Sequence, residues 1–425
     1  MGTIHSARIR GLVVLISLVT CLMMLAPAGA GASIKSKIAA ALARQGLAGP
    51  GTSVAVRDLT EKRYLDSRRG NVPRLPASNE KLVTSVAALA DWSATHRFAT
   101  QLLLQATGPN SKGVLAGNVY LKGLGDPSLS TSAFQASYLH MRTSGLGDFV
   151  SHLRSLGVTK ITGRVVADDG YFDRARTVSS WRPGMAAWCG PLSALTLNEG
   201  FGPSGGYVDN PSLWAAGKLT QLLRNAGIKV RHGAACGTVP ATAKLSYSES
   251  SVQLGRLLAA MNKPSDNFFA EELLKGLGAS FGGAGTTAAG ANVAKRYLKS
   301  IGLTNGFSIR DGSGLSYADK LSAHAIVTIL GAMTKRQDFA VFRNSLSVAG
   351  VDGTLKDRMR GTKAAGNVHA KTGTLSAASC LSGYVTSADR HALVFAILMN
   401  GSALPLARAQ AAQDAIAEIL ARSRP

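Results

Sequence analysis

The sequence predicts an α+β fold in which helices cover an antiparallel sheet, with a large second α+β domain inserted into it. Three observations carry this prediction. A β-hairpin near the start of the chain and apolar strand candidates near its end bracket the sequence. Ala- and Leu-rich helical stretches follow the first and precede the second. Between them, from about residue 93 to residue 248, the texture changes to short β-like runs broken by clusters of Gly, Pro, Ser and Asp. A chain of 425 residues that is 46% hydrophobic suits two domains, or one domain with a large insertion.

The elements follow in order. Residues 1–32 carry Arg8 and Arg10, an apolar stretch at 11–25, and Ala-Gly-Ala steps at 28–30 and 30–32, the layout of a secretory signal peptide. That stretch is too short for a comfortable membrane span, although an uncleaved N-terminal anchor has the same pattern. No later segment is long and apolar enough to cross a membrane, so the mature protein is expected to be exported, periplasmic or secreted, and soluble. Residues 53–56 and 63–65 flank a polar turn at 58–61 and predict the hairpin. "LVTSVAALADW" after Lys81 predicts a buried helix. Within the insertion, "NVYLKG" and "GRVVADD" predict strands, and residues 149–156 and 213–226 predict helices. "ESSVQLGRLLAAMNK" from residue 249 places Val252, Leu254, Leu257, Leu258 and Met261 on one helical face, and "FFAEELLKGLG" predicts a helix stopped by glycine. "CLSGYV" and "HALVFAILMN" predict strands, and residues 404–420 a final helix. The predicted domains are 33–92 with 249–425, and the insertion 93–248.

The chain has 47 Lys+Arg against 24 Asp+Glu, a formal charge of +23. The basic residues are dispersed, without the runs or aromatic interleaving of a nucleic-acid groove, so no nucleic-acid partner is predicted. For an exported protein the charge suits an anionic polymer such as cell wall, or peripheral contact with an anionic membrane face; a merely solvated basic surface accounts for it equally. Cys21 leaves with the signal. Of Cys189, Cys236 and Cys380, the first two are expected to pair and Cys380 to be a buried small residue. No Cys/His spacing suits a metal, and none is predicted.

Three short motifs carry chemistry. In "LPASNEKLVTS" (75–85), Ser78 and Lys81 lie three positions apart at a helix start, hence on one face. Lys81 can activate the Ser78 hydroxyl only if desolvation or a nearby cation lowers its pKa. Taken alone, the pattern is also that of a capping serine and a solvent-facing lysine. In "NKPSDNFFAEE", Ser265 and Asn267 would point together into a cleft from an inter-helix loop, the alternative being an Asp/Asn turn capping the next helix. In "VHAKTGTLSA", Lys371 offers a fixed cation, Thr372 and Thr374 offer hydroxyls for a carboxylate, and Gly373 leaves room for a substrate backbone. The Thr374 and Ser78 backbone N–H groups would together form an oxyanion hole. A solvent-facing strand with a Gly bend is the bland alternative. S-x-x-K, S-D-N and K-T-G in this order, at a helix start, an inter-helix loop and a strand, are the joint signature of penicillin-binding proteins and class A β-lactamases.

From about residue 35 to 422 the sequence resembles the D-alanyl-D-alanine carboxypeptidase/endopeptidase class of low-molecular-mass penicillin-binding proteins, class C. Besides the three motifs, "GLGDPSLS", "GRVVADDGYFD", "LSALTLNEG", "RDGSGLS" and "GTLKDRMRGT" carry the resemblance. It implies a penicillin-binding-protein/β-lactamase-like transpeptidase domain whose 187-residue gap from Ser78 to Ser265 holds an inserted domain. It implies a serine DD-peptidase that cleaves D-Ala-D-Ala termini or D-Ala cross-links of peptidoglycan stem peptides, without a cofactor, and is inhibited by β-lactams. Ser78 would be the nucleophile, Lys81 its general base, and Ser265 the proton relay to the departing D-alanine. Asn267 would orient the peptide carbonyl. Lys371, with Thr372, Gly373 and Thr374, would bind the terminal carboxylate, and Lys371 as a nearby cation, together with desolvation in a closed cleft, would depress the pKa of Lys81. The chain departs from some members of the class after a Trp-x-Pro segment, where "SSWRPGMAAWCG" has Gly184-Met185 in place of an acidic residue facing the stem peptide's diamino acid. A β-lactamase, which needs a glutamate after the S-D-N loop, is disfavoured by the absence of Glu between Glu272 and Glu418. Asp311 in "RDGSGLS" is the nearest carboxylate with a motif around it, suited either to structure or to positioning water. A peptidoglycan-binding scaffold that is acylated but does not turn over is a third possibility.

Overall fold

The computed structural model describes residues 32–425. The signal segment expected at 1–32 therefore lies, but for its last residue, outside the described residues. Among the described residues no helix is long and apolar enough to cross a membrane.

A six-stranded antiparallel sheet runs in the order Ser347–Val348, His369–Leu375, Ala378–Thr386, Ala392–Asn400, Thr52–Asp58, Arg63–Arg68. The predicted hairpin thus forms, and on its other side the first strand pairs with the late apolar strand, Val54 opposite Ile397. Alternating side chains explain why residues 393–399 are all apolar. Phe395, Ile397 and Met399 face one core, shared with Ile38, Leu42, Ile416 and Leu420 of the helices Ile34–Arg44 and Leu406–Arg422. Val394, Ala396 and Leu398 face the other, shared with helices Glu80–Trp92, Asn267–Phe281 and Ala323–Met333. A strand covered by helices on both faces has no polar side to show. Each fully buried Leu, Ile or Phe here contributes roughly 1.5–3 kcal/mol relative to exposure.

Residues 99–250 contribute a second sheet in the order Lys244–Ser250, Ala99–Leu104, Val119–Gly123, Val165–Asp168, Ala235–Cys236. Its first three strands are antiparallel and the last two join in parallel. Leu102 and Leu121 meet Phe149, Leu153, Leu219 and Leu223 of helices Leu146–Ser155 and Pro211–Asn225 in a core of their own. The second of these helices starts on Asn210, whose side chain accepts from Leu213 N, with Pro211 at its first position. The stretch enters and leaves side by side: Ser251 N donates to Phe98 O at 2.8 Å and Ser251 Oγ accepts from Phe98 N at 2.9 Å.

Three expectations are corrected. Residues 249 and 250 belong to the strand Lys244–Ser250, and the helix starts only at Leu254, because pairing with Ala99–Leu104 takes the segment first. The helix Asn267–Phe281 passes through Gly276 and Gly278 instead of stopping there. Both are packing glycines: a Cβ on Gly276 would lie 3.0 Å from the Trp92 ring, and one on Gly278 2.7 Å from Gly290 N of the helix Thr287–Ser300. Cys189 and Cys236 do not pair; Cys189 is buried in the core beside helix Asn267–Phe281, whereas Cys236 is exposed on the last strand of the second sheet.

Candidate active site

Ser78 sits in a 3-10 turn, Ala77–Asn79, that leads directly into helix Glu80–Trp92. Ala77 has φ +46°, an uncommon conformation for a residue with a side chain. Two glycines hold this turn from opposite strands of chain. A Cβ on Gly314 would lie 1.9 Å from Ala77 O, and one on Gly373 would lie 2.7 Å from Pro76 O and 3.1 Å from Ser78 N. Gly373 thus makes room for the turn's own backbone, not only for a substrate. Asn79 Nδ2 donates to Lys371 O at 3.2 Å and ties the turn to the edge strand His369–Leu375. The outer neighbour of that strand pairs only with His369 and Ala370, which leaves the edge free of a strand partner from Lys371 onward.

The capping alternative for Ser78 fails on geometry. The helix N-cap residue is Asn79, without a side-chain cap bond. Ser78 Oγ instead lies 3.2 Å from Lys81 Nζ. Lys81 is 0% exposed. Its Nζ also donates to Asn267 Oδ1 at 2.7 Å and to Ser313 O at 2.8 Å. Burial lowers its pKa to about 8, opposed by the charges of Asp266, Asp311 and Glu271. Lys371, also 0% exposed, is held well below the ordinary lysine range by burial and then by the charge of Lys81. Of the two causes expected from the sequence, a closed cleft and the Lys371 cation, desolvation dominates at Lys81. The arrangement orients the base. A neutral amine keeps two N–H donors, which Asn267 Oδ1 and the Ser313 carbonyl take, so its lone pair faces the Ser78 hydroxyl.

The remaining sequence-predicted residues surround this pair. Ser265 adopts φ +68° in the loop before helix Asn267–Phe281, half-buried, its hydroxyl without a hydrogen-bond partner among the described residues. Asp266 caps that helix, accepting from Phe269 N at 2.9 Å, which is the predicted alternative role realised by the middle residue of the motif. Asn267 Nδ2 donates to Trp188 O at 2.8 Å, so only its second amide hydrogen is available to a substrate carbonyl. Thr372 Oγ1 donates to Thr354 Oγ1 at 2.7 Å, and Thr374 is exposed on the free edge. Segment 181–189 lies against the site: Trp181 Nε1 donates to Asp311 Oδ2 at 2.7 Å, and the Arg182 guanidinium lies 3.6 Å above the Tyr317 ring. Tyr317 Oη and Ser376 Oγ are 2.6 Å apart.

Beneath Lys81 lies a cluster of buried carboxyls that the sequence reading missed, apart from Asp311. Glu271 accepts from Gly312 N and Ser313 N, and Asp311 accepts from Gly314 N and Ser316 N as well as Trp181. These bonds shape the loop that presents the Ser313 carbonyl. Burial, then the Asp311 charge, pushes Glu271 up to about 8. Glu80 is 0% exposed and neither of its oxygens has a hydrogen-bond partner among the described residues; burial, then Asp311 and Glu271, push it well up. Glu80 therefore stays protonated in the folded protein above pH 4.5, its ordinary value, where the unfolded chain releases the proton. The folded state binds the proton more tightly, so this group's contribution to stability falls as pH rises above that value. Glu80→Gln, which has nothing to ionise, is expected to be more stable than wild type at pH 8, with a smaller gain at pH 5. Thermal unfolding of both proteins at the two pH values checks this, and a gain that is constant or larger at pH 5 contradicts it.

The fold is that of the penicillin-binding proteins. It is similar to the crystal structure of penicillin-binding protein 4 from Haemophilus influenzae, with a TM-score of 0.77 at 20% identity over 92% of this chain and 100% of that one. It is also similar to the penicillin G-acylated Bd3459 endopeptidase of Bdellovibrio bacteriovorus, with a TM-score of 0.52 at 19% identity over 82% and 85% of the two chains. In sequence it is 31% identical to a D-alanyl-D-alanine carboxypeptidase of Actinomadura sp. (strain R39), over 91% of this chain and 84% of that protein. Residues 34–204 and 202–423 match the D-Ala-D-Ala carboxypeptidase 3 (S13) family. The chain belongs to that family and is a serine-type peptidase.

Proposed function

We propose that the protein is a serine DD-peptidase that cleaves the D-Ala-D-Ala end, or the D-Ala cross-link, of peptidoglycan stem peptides through an acyl-enzyme on Ser78. The observation that carries this is the Ser78 hydroxyl 3.2 Å from a fully buried Lys81 amine whose two other partners are fixed acceptors. Ser78 Oγ attacks the carbonyl of the penultimate D-alanine while Lys81 Nζ takes its proton. The backbone N–H groups of Ser78 and Thr374 stabilise the oxyanion. As the peptide C–N bond breaks, Ser265 passes a proton to the departing amine. Water then cleaves the ester, which restores the Ser78 hydroxyl and releases the shortened peptide as a carboxylate. Lys371, Thr372 and Thr374 hold the terminal carboxylate, with Gly373 letting the strand approach the turn, and Asn267 orients the peptide carbonyl. A β-lactam acylates the same serine, and with no Glu between residues 272 and 418 to activate water its ester persists, so the drug inhibits. The protein acts after export directed by residues 1–32, on cell wall that its positive charge attracts, and residues 93–248 are a domain inserted between 33–92 and 249–425.

D-Alanine release from a monomeric pentapeptide tests this. Wild type is expected to release it and Ser78→Ala to lose at least about 10³-fold. Equal release by both proteins rejects Ser78 as nucleophile, and rapid hydrolysis of benzylpenicillin points to a β-lactamase instead.

A further inference from the structure

A pocket of about 650 Å³ opens beside the S-D-N loop and takes no part in the chemistry above. Its walls come from three places. Segment 138–141, the end of a π-helical turn Gln135–Leu139 in the inserted stretch, forms one side. Helix Leu254–Asn262 contributes Arg256, Ala259 and Ala260, and the floor is Lys263, Pro264 and Asp266 with Gly353 and Thr354. Thr354 marks the pocket's place relative to the site. Its hydroxyl accepts from Thr372 Oγ1 at 2.7 Å, and its backbone N donates to Lys263 O at 3.0 Å. The pocket therefore begins where Thr372 and the Ser265 loop meet.

That position fixes which half of a substrate it can receive. From Lys371 onward the strand His369–Leu375 has a free edge, and it is followed by Ser376, which meets Tyr317 under Arg182. With the leaving group's carboxylate at Lys371 and Thr372, the acyl half extends toward Ser376 and the leaving half toward Thr354. A single D-alanine ends at the carboxylate and has no further atoms for the pocket. Yet its volume falls within the roughly 300–1,000 Å³ of pockets that enclose much larger ligands.

We propose that this pocket is the leaving-group subsite for the amine-side peptide of a cross-linked stem-peptide dimer, an inference that rests on the DD-peptidase reading above. In a cross-link the leaving amine is the side-chain amine of a diamino acid, which carries an aliphatic chain and a second peptide bearing free carboxylates. Leu139, Met141, Ala259 and Ala260 match the aliphatic part. Arg256, exposed at the rim, its guanidinium without a hydrogen bond or ion pair to another described residue, matches a free carboxylate. His140 is a second polar group at the rim, its Nδ1 3.1 Å from Ala136 O. Lys263 already pairs with Asp352, and Asp266 is engaged as a helix cap, which leaves Arg256 as the free cation of the lining among the described residues. The bond changes are those of the DD-peptidase cycle: the cross-link C–N bond breaks, the Ser78 ester forms, and the diamino-acid amine leaves with the relayed proton.

The test compares two substrates, a monomeric pentapeptide and a purified cross-linked muropeptide dimer, with wild type, Arg256→Glu and Ala260→Trp. Both substitutions lie away from Ser78, and an unchanged rate of acylation by labelled penicillin reports an intact site. Wild type is expected to cleave both substrates. Each variant is expected to lose about tenfold in kcat/KM on the dimer, mainly through KM, and to keep D-alanine release within about twofold. Dimer cleavage unchanged in both variants, or both activities falling together, overturns the proposal. A wild type that releases D-alanine but leaves the dimer intact also overturns it while the DD-peptidase reading stands. Failure on both substrates rejects that reading and this inference with it.

Discussion

Lys81→Ala is expected to slow acylation of Ser78 by benzylpenicillin by roughly 10²–10⁴-fold, the contribution of a positioned general base. Among the described residues Lys81 is the one group bonded to the Ser78 hydroxyl, so none of their other side chains is placed to take over its proton. The fold should survive. Removal leaves Asn267 Oδ1 and the Ser313 carbonyl without their donor, a loss of about 1–3 kcal/mol each, and in partial compensation removes a buried amine. Lys81→Arg should fail too, because a guanidinium keeps its proton at any working pH. The wild-type pH profile follows with its sign. The amine must be neutral to act, and burial brings its pKa to about 8. Acylation should therefore rise about tenfold per pH unit below that value and level off above it, whereas an ordinary lysine at 10.5 would still be rising at pH 10. Rates of labelling by a fluorescent penicillin between pH 6 and 10 measure both effects. Acylation of Lys81→Ala within tenfold of wild type, or a wild-type rate flat across that range, removes Lys81 from the role of base.

What the sequence disclosed and what it hid follow from one distinction. That Ser78, Lys81 and Asn267 come together was legible because the S-x-x-K and S-D-N motifs limit where such residues can stand. The continuous apolar run 393–399 likewise announced a strand, and the structure added that helices cover both its faces. The carboxyls were not legible. Glu80 and Glu271 occupy positions where, in sequence, an acid on a helix normally faces water, and the loop 310–316 packs onto them. Glycines were misjudged for a related reason. Gly276 and Gly278 look like helix stops in one dimension, yet their missing side chains admit Trp92 and a second helix, contacts that no local pattern encodes. Strand Lys244–Ser250 was hidden because its partner lies about 145 residues earlier, so the polar "SYSES" carried no local signal of pairing.

Asp311→Ala is expected to produce the largest loss of stability at the site, about 3–5 kcal/mol, together with slower acylation. Asp311 is fully buried and its carboxylate accepts from Gly314 N, Ser316 N and Trp181 Nε1, each at 2.7 Å. Alanine leaves all three donors unsatisfied in the interior, and each carries a desolvation penalty of about 1–3 kcal/mol. Part is recovered, because Asp319 and Glu80 are pushed up by burial and also by the Asp311 charge, and that repulsion disappears. The activity loss follows from the loop itself. Gly314, with φ +85°, is the residue packed on Ala77 O, and Ser313 gives its carbonyl to Lys81, so loosening 310–316 frees both the nucleophile's turn and the base. Trp181→Phe separates the contributions. It removes one of the three bonds and leaves the loop's own clasp, so it should cost about 1 kcal/mol and disturb only the segment lying over the site. Asp311→Asn should resemble alanine more than wild type, since its amide nitrogen would face an N–H donor. Chemical denaturation with penicillin acylation on the same samples decides the matter. Should Asp311→Ala unfold within 1 kcal/mol of wild type and acylate at the same rate, the loop does not depend on this carboxylate, and the Ser313 carbonyl must be held by Glu271 and Thr84 alone.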